Sequence, residues 1–164
     1  MKRVNPRIFW CTLAFGWVLI IFLLSNQEAK DSYELSKVFA GYFAQLFVKD
    51  FSNMTDAEQF RVAYGLHKAV RKYAHVFLFF VLGFLIMGTM STYKLKPRTQ
   101  FMVALALTFF CAVAGEIYQI FVPGRAALVG DVVINTVSGL TGISAMIGVN
   151  AIRELCRRKP TNRS

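Results

Sequence analysis

The stretch FMVALALTFFCAVAGEIYQIFVPGRAALVGDVVINTVSGLTGISAMIGV, residues 101–149, decides the fold. It holds two apolar runs, about 101–122 and 126–149, each long enough for a helix to cross a bilayer, which takes about 20 residues. Between them Pro123-Gly124 reads as a tight turn, which makes the two runs antiparallel neighbours. Each run carries one carboxylate, Glu116 and Asp131. A charge at mid-membrane depth costs about 2.5–3.5 kcal/mol on insertion scales, so such a residue faces a bundle interior and finds partners. The polar residues available as partners are His75, Gln119, Arg125 and Asn135, with Arg71 and Lys72 nearby.

Working outward, two further runs, about 8–24 and 74–90, are apolar enough to cross, with their flanks completing the length. The whole chain of 164 residues is 55% hydrophobic with 16 Phe and a mean hydropathy of +0.46, which a soluble domain of this size rarely reaches. A net charge of +10 would point to nucleic acid in a soluble protein, but here the charges flank the apolar runs and topology accounts for them. Cys11, Cys111 and Cys156 have no metal-like or redox spacing. The first run follows a basic start, Lys2, Arg3 and Arg7, as a signal peptide would. It is longer than the usual apolar core of one, and Leu24-Ser25-Asn26-Gln27 is a poor cleavage site, so it reads as an uncleaved anchor.

Orientation follows from lysine and arginine. The N-terminal tail, the loop with Lys94, Lys96 and Arg98, and the C-terminal tail together hold eleven basic residues against one acid, Glu154. The opposite side, residues 25–73 plus the Pro123-Gly124-Arg125 turn, mixes eight basic residues with six acids. The basic-rich side is expected to be cytoplasmic. The sequence thus predicts an all-α integral membrane protein of one domain, with four transmembrane helices, both termini cytoplasmic and a partly helical extracytoplasmic loop at about 25–73.

That loop is patterned. Asp31 and Glu34 have capping-box-like spacing before Leu35, Val38, Phe39, Phe43, Leu46 and Phe47, an apolar helical face suited to the membrane interface. Asp50–Asn53 reads as a break. Thr55 and Glu58 form a second capping box, opening a helix that carries Phe60, Ala63, His67 and Val70 on one face and runs toward the second span. His67 reads as interfacial. In the fourth span Ser138 and Gly142 have the small-xxx-small spacing that lets helix backbones approach, which predicts a central position for that helix.

The polar residues share a level. At 1.5 Å per residue Glu116 lies roughly 9 Å inside the outer end of the third span, with Gln119 one turn nearer the surface. Asp131 lies about 7–8 Å inside the outer end of the fourth, with Asn135 a turn deeper. His75 marks the outer edge of the second span, and Lys72 shares its face. The geometry expected is one polar pocket in the outer leaflet. Several readings stay open: ion pairs that only hold helices together; an anion pocket in which Arg71, Lys72 and Arg125 bind while His75, Glu116, Gln119, Asp131 and Asn135 orient; acid–base catalysis by His75 with Glu116 or Asp131; or a metal on those same three, which the nearby cations oppose. No phosphate loop, dinucleotide fingerprint or nucleophile elbow is present, and no cofactor is expected.

At these residues the chain resembles the VanZ-like family of small bacterial membrane proteins. The resemblance rests on Arg71-Lys72-x-x-His75, Glu116-x-x-Gln119, Arg125 after a short turn, and Asp131-x-x-x-Asn135-x-x-x-Gly139-x-x-Gly142, with Ser25-x-Gln27 after the first span. It covers about Ile8 to Gly148. It implies a bacterial plasma-membrane protein whose polar cluster faces the cell envelope, in a family named for an accessory protein of resistance to the glycopeptide teicoplanin. On the anion-pocket reading the expected partners are membrane lipids or lipid-linked envelope components; no nucleic acid is expected, and a homo-oligomer stays open.

Overall fold

The computed structural model describes the backbone of residues 5–26 and 29–158, and the side chains there other than those of residues 29–36, 67, 68 and 158. Among the described residues it contains five α-helices and no strand: α1 (Pro6–Ser25), α2 (Ala29–Phe47), α3 (Asp56–Met90), α4 (Pro97–Gln119) and α5 (Val129–Arg158). Four of them, α1, α3, α4 and α5, are long and apolar enough to cross a membrane. Their starts follow local rules. Pro6 and Pro97 occupy first-turn positions, where the missing N–H is no loss. The Asn5 side chain caps α1 by accepting from the Arg7 N–H. The predicted capping box is present at the start of α3: Glu58 accepts from the Thr55 N–H at 2.9 Å and from its hydroxyl at 2.8 Å.

The second span is only part of α3. Its 35 residues make a rod of roughly 52 Å, well beyond the hydrocarbon core, so the loop helix and the span are continuous. The break falls before it, at Asp50 in the left-handed region with φ 59°, followed by a single 3-10 turn at Phe51–Asn53. The side chains of Asp31, Glu34, Leu35 and His67 lie outside the described residues, as does Gln27.

The core lies between α3 and α5, which share the most extensive interface. Gly139 faces the Gly83 backbone, and Gly142 faces the backbone of Phe80 and Phe84. A Cβ at any of the three would collide with backbone or with Thr108, so only glycine permits this approach. The predicted close contact is therefore real but shifted by one residue, to Gly139 and Gly142, and Gly83 is a partner that spacing within α5 could not reveal. Leu82, Ile143, Met146, Ala104 and Ala112 complete the core. α1 packs on the outside of α3 and α4, tied by Trp17, whose indole N–H donates to the Leu78 carbonyl at 2.8 Å. Its outer face (Phe15, Leu23) and that of α4 (Phe110) are exposed, as lipid-facing residues are. α2 lies against α3, burying Ala40 and Ala44 while Phe43, Leu46 and Phe47 stay exposed.

The α4–α5 connection departs from expectation. The helices stop at Gln119 and resume at Val129, so nine residues link them rather than three. Pro123-Gly124 still makes the turn, with Gly124 at φ 74°, a value glycine adopts without strain. Two successive turns frame it, with Val122 N–H donating to Gln119 O and Arg125 N–H to Val122 O. This longer link folds over the polar end of the bundle.

Candidate functional site

The chain order and the helix lengths bring the predicted polar residues to one end of the bundle. Glu116 sits in the last turn of α4, where the helix dipole disfavours a carboxylate. It is nevertheless buried, only 3% exposed, and among the described residues it finds one donor: Oε2 accepts from the Leu128 N–H at 3.1 Å. Gln119, one turn on, is buried beside it. Asp131 has the opposite setting. It lies in the first turn of α5, where the dipole favours negative charge, and is half-buried. Because α5 starts at Val129 rather than 126, Asp131 lies about 3 Å from the start of the helix and not the 7–8 Å expected from the sequence. Asn135, one turn further, takes the deep position and is 2% exposed.

Facing these, α3 contributes Arg71 and His75, both half-buried, and Lys72, which is exposed. Arg125 comes from the link. Arg71, Arg125 and Asp131 are close enough to act electrostatically on both His75 and Glu116, so the two acids and the basic residues do form one cluster. They are not paired off. Among the described residues no ion pair within 4 Å joins these groups. Two buried polar atoms of the described residues are left without a hydrogen-bond partner, Arg125 Nε and Asn135 Oδ1. Burial first, then the neighbouring Arg71 charge, hold the Arg125 guanidinium below its ordinary range; Glu116 acts in the other direction.

The single pocket expected from sequence is two cavities with a common wall. The first, about 440 Å³, has Glu116, Gln119 and Asn135 at its polar side and Ile21, Leu24, Phe39, Leu78 and Phe79 at its apolar side. The second, about 520 Å³, lies under the link and is lined by Lys72, Asp131 and residues of the 124–130 stretch. Arg71, His75, Arg125 and Asn135 line both. Lys72 and Asp131 thus belong to the second chamber, while Glu116 and Gln119 belong to the first. Both volumes suit a small ligand or a lipid head group with part of its chain. Among the described residues no three His, Cys, Asp or Glu side chains converge as metal ligands, so His75, Glu116 and Asp131 do not make a metal site as they stand.

Sequence reasoning missed several wall residues. Ser25, buried at the end of α1, lines the first cavity; its place in Ser25-x-Gln27 was a usable signal. Phe39 reaches the same cavity from α2, a tertiary placement that helix periodicity does not encode. Asn26 accepts a hydrogen bond from the Tyr118 hydroxyl at 2.8 Å, pinning α1 to α4 beside the site.

No curated protein and no solved structure is detectably similar to the chain. Residues 9–150, most of the sequence, match the family described as VanZ/LLP1. With four apolar helices and this match over nearly its whole length, the chain belongs to the VanZ/LLP1 family.

Proposed function

We propose that the polar end of the bundle binds the anionic part of an envelope lipid or lipid-linked component, and that this end faces the outside of a bacterial plasma membrane. The observation that carries the reading is Arg125. Its side chain lines both cavities, its Nε is buried without a partner, and the protein supplies it with more repulsion and burial than attraction. A half-buried guanidinium whose Nε is buried and unpaired calls for a counter-ion. Arg71 and Lys72 lie alongside, and a guanidinium fork suits phosphate or carboxylate. The apolar wall of the first cavity suits the start of a hydrocarbon chain. In this reading Glu116, Gln119, Asp131 and Asn135 orient the site, and His75 stands between the chambers.

The orientation rests on the charge imbalance along the chain, with the basic-rich end inside and both termini cytoplasmic. Lipid-linked wall precursors and teichoic-acid lipids are the candidate ligands, and changed teicoplanin susceptibility is the cellular readout that the family name suggests. A second reading, hydrolysis or transfer on a lipid-linked substrate, draws on His75 and Glu116 lining the same cavity. Native mass spectrometry of the full chain with phosphatidylglycerol against phosphatidylcholine tests the binding. Wild type retains the anionic lipid and Arg71→Gln/Arg125→Gln loses it by tenfold or more, on the order of 1.4 kcal/mol. Equal retention of both lipids by both proteins contradicts the proposal. Turnover of the lipid by wild type, abolished in Glu116→Gln, would favour the second reading.

A further inference from the structure

A third cavity, about 780 Å³, opens at the opposite end of the bundle, where both described chain ends meet. We infer that it is a second anion site, taking a phosphate group at the other face of the membrane. Arg7 comes from the start of α1, and Arg153 and Arg157 from the end of α5. Three arginines from distant parts of the chain thus line one cavity, with Glu154 as the carboxylate among the described residues of the same wall.

The neutral groups around them are already engaged. The Ser91 hydroxyl donates to the Met87 carbonyl and accepts from the Asn150 amide, each at 2.8 Å. The Thr92 hydroxyl donates to the Thr89 carbonyl. This stitching of α3 to α5 makes a firm wall. Arg7 is held against it: Nε donates to the Thr92 carbonyl at 3.2 Å, and the guanidinium lies 5.1 Å over the Tyr93 ring. Its terminal N–H groups have no partner among the described residues, and neither Arg153 nor Arg157 has one.

Arg153 and Arg157 lie one helical turn apart on one face, a repulsive spacing for like charges. An anion between them and Arg7 would relieve it. The floor is apolar. The Trp10 ring packs on Gly88, where a Cβ would sit 2.6 Å from the ring. A charged rim above an aromatic floor matches the boundary between lipid head groups and chains, where basic pockets between helices hold phospholipid head groups. Free phosphate carries the same chemistry, so the experiment separates the two sources.

The full chain, purified in a zwitterionic detergent, is melted with short-chain phosphatidylglycerol, with phosphatidylcholine, or with excess inorganic phosphate. The same series is run on Arg153→Gln/Arg157→Gln, whose exposed changes leave the fold intact, and on Arg125→Gln. At about a fivefold effect per surface arginine, the double variant should bind phosphatidylglycerol at this site roughly 30-fold more weakly. Arg125→Gln should leave this component unchanged, which keeps the result independent of the site at the other end. Stabilisation by phosphatidylglycerol and not by inorganic phosphate, reduced in the double variant and kept in Arg125→Gln, identifies a lipid head group. Stabilisation by inorganic phosphate as well, lost in the double variant, identifies a free-phosphate site. If neither stabilises wild type, or the double variant responds as wild type does, the inference is wrong.

Discussion

The same two helices, α3 and α5, build the tightest and the loosest parts of the molecule. Around Gly83, Gly139 and Gly142 their backbones touch and no Cβ fits. Nearer the polar end, at His75 and Asn135, they part around cavities of about 440 and 520 Å³. The contact has no polar group to satisfy and owes its closeness to missing side chains. Polar residues that are incompletely paired line the cavities, with Arg125 Nε and Asn135 Oδ1 left over among the described residues. Rigidity at one level thus fixes an opening at the other. A bundle selected only for stability would have closed both.

The largest effect should come from breaking the contact. Gly142→Leu drives a side chain into the Phe80 carbonyl, and overpacking of that kind destabilises by about 3 kcal/mol or more. The expected outcome is loss of the folded protein, read by thermal melting in detergent. Gly148 sharpens the contrast, because a methyl group added there would meet nothing within 4 Å. Gly148→Ala should hold or gain about 0.5–1 kcal/mol through helix propensity alone. At the cavity end the sign reverses. Asn135→Leu removes an unpaired buried acceptor and should leave stability unchanged or raise it by about 1 kcal/mol, while weakening retention of anionic lipid.

The smallest effect lies at the first turn of α3. Two hydrogen bonds from Thr55, first the backbone N–H and then the hydroxyl, hold the Glu58 carboxyl below its usual range. A depressed carboxylate stabilises above its unfolded pKa and loses that contribution as pH falls through the lower, folded value. The first turn of α3 should therefore fray on acidification below about pH 4.3, and Thr55→Ala, which keeps the backbone bond and loses the hydroxyl one, should fray more at each pH. Backbone chemical shifts of residues 56–59 would record it.

The four spans were legible because lipid leaves no alternative to continuous apolar helices. The Thr55–Glu58 box was legible for a different reason, being a three-residue rule satisfied locally. The polar residues were legible as a set, since a charge within a span has to be accommodated somewhere. Their division between two chambers was not. It depends on where α4 stops and α5 starts, and a nine-residue link containing apolar Ile120, Phe121, Val122 and Leu128 reads by hydropathy as helix. For the same reason Asp131 reads as deeper than it lies. Gly83 was hidden because a packing partner across a helix pair leaves no mark in the spacing of either helix, and Phe39 because the docking of α2 is a tertiary choice.

Anion binding at the polar end requires that Arg125 be a cation kept for a ligand rather than for the fold. Arg125→Met preserves much of the side-chain bulk and removes the charge. Thermal melting of wild type and variant, each with and without phosphatidylglycerol, tests this directly. The lipid-free variant should melt higher, by the equivalent of about 1–3 kcal/mol for an unsatisfied buried donor removed, and the lipid should add less to it than to wild type. A variant that melts lower without lipid, and gains as much from lipid as wild type does, would contradict it.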